Sequence, residues 1–190
     1  MTDYITTYSG VHFYPMNPEP EMVRIQDIAH ALSMICRGNG HVKTFLSVGQ
    51  HCIRCAKEAQ ARGMSERVVL GCLLHDAGEA YMSDVPRPFK QYLQGYVEME
   101  EKLLSMIYIK YLGSDLTEEE QKLLRQVDDD VLYYDLKILL NEPSEKTEPE
   151  MKVPFTYQFV PFEQIEKEYM EMFEKIHYNI NNNSQSGGEK

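Results

Sequence analysis

The stretch Val68–Met82, VVLGCLLHDAGEAYM, decides the fold. Its first seven residues are apolar on nearly every side, which predicts a central, buried helix running from about Glu66 to Met82. Into that helix the sequence inserts His75, Asp76 and Glu79. His75 and Glu79 are four residues apart and Asp76 and Glu79 three, so on a helix all three project from one side. Burying two carboxylates and an imidazole there is costly unless something pairs with them, and a divalent cation is the simplest partner. A face turned to water, or acids paired with Arg or Lys, is the plainer alternative.

Working outward, the same period recurs on both sides. Ile25, Ile28, Ala29, Leu32, Ile35 and Cys36 mark a helix from Arg24 to near Gly38, and Gly38-Asn39-Gly40 is a turn. A second helix is expected from about Phe45 to Arg62, closed by Gly63. After the central helix, two prolines in Asp84–Lys90 break the pattern. Helices then follow at about 91–112, 117–141 and 161–178. Residues 142–154 read as an exposed loop. Residues 4–18 mix Thr, Tyr, Val and Phe around Ser9-Gly10, the signature of a small hairpin or extended arm. The expected organisation is an all-α, single helical bundle over 24–178, an N-terminal arm or hairpin over 1–23 and a disordered polar tail over 179–190.

Composition narrows the function. A chain of 190 residues, 43% hydrophobic and 26% charged, carries enough apolar material for one core and is not a disordered chain. Lys plus Arg number 19 against 30 Asp plus Glu, a net charge of −11, which repels a nucleic-acid polymer. No apolar run reaches the length of about 18 residues that a membrane span needs, and no charged start leads into an apolar stretch. The four cysteines show no secreted-domain pattern, so reduced thiols and a cytoplasmic location are expected.

Two further positions join His75 and Asp76. His51 lies on the second helix, on a mainly apolar stripe with Val48 and Cys55. In the helix at 117–141, Leu124, Val127, Val131, Ile138 and Leu139 form an apolar stripe. With about 3.6 residues per turn, Asp128 and Asp135 fall inside that stripe and Asp129 falls opposite it. Two imidazoles and two carboxylates make a mixed N/O set suited to one divalent ion: Mn, Co, Fe, Ni or Mg. Such a site can activate water and polarise a phosphoryl oxygen. No histidine lies between His75 and His177, so a mononuclear site is expected. Cys52 and Cys55 form a CxxC in mid-helix without a second pair, which reads as packing, not as a redox or zinc site.

The order His51, His75-Asp76, Asp128, each on a helix, resembles the HD-domain superfamily of metal-dependent phosphohydrolases. The stretches DIAHALSMICRGNGH, SVGQH and LLHDAGEAYMSDVPRPFK with the late aspartate are similar to a bacterial and phage branch close to the 5′-deoxynucleotidases, over residues 8–135 or so. The resemblance implies metal ligation by His51, His75, Asp76 and Asp128, with Glu79 and Asp84 handling proton transfer and water orientation. It implies phosphate binding by Arg37, although here Gly38 follows where an aromatic residue is common. His41, Lys43, Arg87 and Lys90 could add positive potential near the opening. The implied function is hydrolysis of the 5′-phosphate of (deoxy)nucleoside monophosphates by metal-activated water. The alternatives are a dNTP triphosphohydrolase or pyrophosphate-releasing HD enzyme, and a nucleotide-sensing HD protein without turnover. A small nucleotide is the expected partner, with no membrane and no nucleic-acid polymer, and a homodimer through the helix at 161–178 stays open.

Overall fold

The computed structural model describes residues 3–143 and 145–186. They form an all-α bundle with a small hairpin at the N-terminus. Strands β1 (Ile5–Thr6) and β2 (His12–Phe13) pair antiparallel, Ile5 against Phe13. The helices are α1 (Ile25–Met34), α2 (Val48–Ala61), α3 (Glu66–Leu74), α4 (Glu79–Met82), α5 (Arg87–Lys90), α6 (Tyr96–Leu112), α7 (Glu118–Leu139) and α8 (Phe162–Ser186). Among the described residues no helix is long and apolar enough to cross a membrane.

Local chemistry sets the helix starts. Ser47 caps α2 by accepting the Gln50 N–H, Ser65 caps α3 by accepting the Val68 N–H, and Thr117 with Glu120 closes a reciprocal capping box on α7. α3 is the hub expected of it: every residue from Val68 to Leu74 is buried, against α2, α7 and α8. Gly49 allows the close crossing of α1 over α2, since a Cβ there would lie 3.2 Å from the Leu32 backbone.

Three boundaries differ from the sequence expectation. The central helix stops at Leu74 instead of running to Met82. Beyond it the chain tightens into i→i−3 bonds, Ala77 N–H to Leu74 O (2.8 Å) and Glu79 N–H to Asp76 O (2.9 Å), before α4 resumes. The carbonyls freed by this break are bonded: Cys72 O accepts from the His75 ring (2.8 Å) and Leu73 O from the Tyr169 hydroxyl (2.6 Å). The helix expected from 91 begins only at Tyr96, after the left-handed Gly95. Finally, α8 continues through the Asn-rich stretch to Ser186, so the polar tail expected from 179 is helical that far, and residues 187–190 lie outside the described residues.

Candidate metal centre and cleft

The helix break places His75 as the C-cap of α3 with its Nδ1 held on Cys72 O. Its Nε2 therefore points away from the helix, toward α2 and α7. There it meets His51, whose ring centroid is 5.3 Å from that of His75. Asp128, from the inward stripe of α7, lies between them: Oδ1 is 3.0 Å from His51 Nε2 and 3.6 Å from His75 Nε2. Asp76 Oδ2 is 3.3 Å from His75 Nε2 without the alignment of a hydrogen bond. Donor atoms of His51, Cys55, His75 and Asp128 all lie within 4.8 Å of one another, and Cys52, His75 and Asp76 form a second such group. His75 belongs to both.

This buried set of His, Asp and Cys side chains could hold a metal ion, as in HD domains. His75 Nε2 is buried and makes no hydrogen bond, an orphaned polar atom that a metal ion would satisfy. Of the four residues singled out in the sequence, His51, His75 and Asp128 fall in one group, while Asp76 joins His75 and Cys52 in the other. The two thiols, expected from the sequence to be packing residues, lie at the cluster: Cys55 Sγ is 3.6 Å from His51 Nε2, and both sulfurs belong to the groups of donor atoms. Spacing carried the signal, since Cys55 is one helical turn after His51.

The electrostatics follow from burial and pairing. Burial works to neutralise Asp128, but its hydrogen bond to His51 and the nearby His75 ring hold its carboxyl well below the usual range. Burial likewise disfavours a charge on His75, and the neighbouring Asp76 overrides it and raises the imidazole well above its ordinary value. Glu79 is the opposite case: burial, reinforced by Asp76 and Asp84, lifts it far above the carboxylate range against the pull of Arg37 and Lys90. Its Oε2 is buried without a partner. Asp84 is raised by burial too, with Arg37 opposing.

A cleft of about 440 Å³ opens from this cluster, with Asp76, Glu79, Asp84 and Asp128 along its floor. Arg37, Arg87 and Lys90 supply its cations. Arg37 Nη1 lies 3.3 Å from Asp76 Oδ2, Arg87 Nη2 2.9 Å from Asp128 Oδ2, and Lys90 Nζ 2.6 Å from Glu100. Val42, Val85, Leu132, Leu136 and Leu140 form an apolar wall. Gly38 follows Arg37 because the turn needs left-handed backbone there (φ 58°), which an aromatic residue would adopt only under strain. That same turn carries the next residues away: His41 and Lys43 do not line the cleft. Both are exposed, with the Lys43 N–H on Leu139 O and its ammonium donating to Asn141.

The turn before Asp84 is strained. Ser83 has φ 70° and ψ 158°, a region close to glycine-only, and is held there by its N–H on Glu79 O (2.8 Å) and by the Tyr96 hydroxyl on its carbonyl (3.1 Å).

Asp135, also inward as the stripe requires, does not line up with the donor cluster but stands behind it, its Oδ2 2.9 Å from His51 Nδ1. Asp129 is exposed, as expected from its place on the wheel.

No family model matches the chain. Over 108 residues it is 41% identical to YfdR of Escherichia coli (strain K12), described as uncharacterized, the match covering 57% of this chain and 58% of that protein. Over 109 residues it is 34% identical to an uncharacterized protein of Rhodobacter capsulatus, covering 54% of this chain and 55% of the relative. The chain spans little more than half the length of the curated relatives it matches.

Proposed function

We propose that the protein is an HD-type, metal-dependent phosphohydrolase that cleaves the phosphate ester of a nucleoside monophosphate. The observation that supports this reading is that His51, His75 and Asp128, from three separate parts of the chain, bring their donor atoms together, with Asp76 beside His75, and that Asp76 and Asp128 also line a cleft holding Arg37, Arg87, Lys90 and the proton-retaining Glu79. A divalent ion on these residues would polarise a phosphoryl oxygen and acidify a water molecule.

The remaining work belongs to side chains of this chain. Arg37, planar and fixed in charge, can grip two phosphate oxygens, and Arg87 and Lys90 extend the positive rim. Glu79, which keeps its proton at neutral pH, supplies it to the leaving 5′-oxygen as the P–O bond breaks. Asp84, a stronger base than an ordinary carboxylate because burial raises it, takes a proton from the water that forms the new P–O bond. The apolar wall suits the nucleoside half. Six acidic side chains line the cleft, five of them charged once Glu79 keeps its proton, against three cations, which favours one phosphate group over three, since each added phosphate brings charge to be neutralised. The four free thiols fit a reducing compartment, and we place the protein in the cytoplasm.

The test is elemental analysis of the purified protein together with phosphate release from nucleoside mono-, di- and triphosphates in Mn, Co and Mg. Monophosphates are expected to turn over, and Glu79→Gln to abolish turnover while metal content stays intact. Release from triphosphates alone would select the triphosphohydrolase reading. A metal-loaded protein inert toward the whole panel would select the sensor.

A further inference from the structure

α2 buries two charged side chains that apolar periodicity does not anticipate, Arg54 (4% exposed) and Glu58 (0%). Both reach one target, the stretch 151–157 of the α7–α8 connection. Glu58 accepts the backbone N–H groups of Lys152 (2.9 Å) and Val153 (2.9 Å), as well as Arg62 Nε (2.8 Å). Arg54 donates to Thr156 O (2.6 Å) with its guanidinium 4.3 Å from the Tyr157 ring centroid. The same Arg54 donates to Asp135 Oδ1 (3.1 Å), and the Tyr157 hydroxyl donates to that oxygen as well (2.9 Å). The other oxygen, Oδ2, is thereby left to accept His51 Nδ1–H. With Nδ1 committed, the ring is oriented so that Nε2 faces Asp128 and Cys55.

We propose that Asp135 is a positioning residue for His51, and that residues 151–157 clamp it through Arg54 and Tyr157, so that metal affinity depends on a connector that contributes no ligand. The inference rests on the metal reading of the site. Its physical content is that a ligating imidazole needs its second nitrogen fixed by an acceptor, and that the acceptor must itself be held. An Asp buried to this depth is tolerable because Arg54 and Tyr157 satisfy one oxygen and His51 the other. Detaching the connector takes the Tyr157 hydroxyl from Asp135 and the Thr156 carbonyl from Arg54. The carboxylate is then free to turn, and His51 with it.

The experiment is calorimetric titration of the full-length, chelator-treated protein with Co²⁺ and with Mn²⁺, with folding of each variant checked by circular dichroism. Asp135→Asn is expected to weaken binding by about 10- to 100-fold. Tyr157→Phe, which removes a single hydroxyl and leaves the ring on Arg54, is expected to weaken it by a smaller factor and keeps the test decisive if Asp135→Asn does not fold. Glu120→Ala, which breaks the distant capping box of α7, is expected to lower the melting temperature without changing the metal affinity. Wild-type protein that binds either ion, with Tyr157→Phe and folded Asp135→Asn binding as well as wild type, would overturn this inference alone. Wild-type protein that takes up neither ion would overturn the metal reading and the inference with it.

Discussion

His51 and His75 face one another across the candidate metal centre, but they are built in opposite ways. His51 sits in the middle of α2, fully buried, with one nitrogen on Asp135 and the other 3.0 Å from Asp128. His75 ends α3, with one nitrogen on a backbone carbonyl and the other buried and unbonded. The difference extends along each wall. Behind His51, Asp135, Arg54 and Tyr157 are all satisfied. Beyond His75, Glu79 leaves a carboxylate oxygen without a partner and Ser83 holds an unfavourable backbone angle. One wall is completed by the chain's own bonds, and the other keeps buried polar atoms without a partner.

The largest effect should separate the two histidines. His51→Ala leaves Asp128 and Asp135 without their imidazole in a buried site, and a loss of about 3–5 kcal/mol is expected from urea unfolding of the metal-free protein. His75→Ala removes a ring with one bonded nitrogen and is expected to cost about 1–2 kcal/mol. Equal losses would show that the two walls are not distinct in this sense.

A smaller effect, of opposite sign, is expected at Glu79. Burial raises its folded-state pKa, with Asp76 and Asp84 adding to the rise and Arg37 and Lys90 opposing it. The folded chain therefore keeps a proton that the unfolded chain releases above about 4.5, and stability falls as pH rises from there through neutrality. Glu79→Gln cannot ionise, so in the metal-free protein it is expected to be more stable than wild type by about 1–2 kcal/mol at pH 8 and by less at pH 5. Melting temperatures at the two pH values check this. An unchanged difference would mean that the far wall carries no such cost.

The smallest effect belongs to the rim. Arg87 is 67% exposed at its side chain although it pairs with Asp128 and Asp129. Arg87→Gln should change stability by less than about 1 kcal/mol. Under the phosphohydrolase reading it should raise KM while kcat changes little.

Much of this was legible in the sequence because apolar periodicity is a direct record of burial. It marked the hub helix, selected Asp128 and Asp135 as inward and left Asp129 outside, and each of these placements holds in the structure. The break after Leu74 was not legible, because no proline interrupts the stretch and its i→i−3 bonds leave the pattern of residue types unchanged. Arg54 and Glu58 were invisible for a different reason. Charged residues on a helix ordinarily mean solvent, and only a partner segment remote in sequence turns them inward. The thiols near the cluster share that ambiguity, since a buried cysteine packs like a small apolar residue.

The kink at Ser83 points to a compromise between durability and aim. A glycine would sit there more comfortably, but it would also loosen the hinge that directs Asp84 over the floor of the cleft. By tolerating an ill-fitting serine, the chain settles the heading of that acid during folding instead of leaving the turn free to reorder.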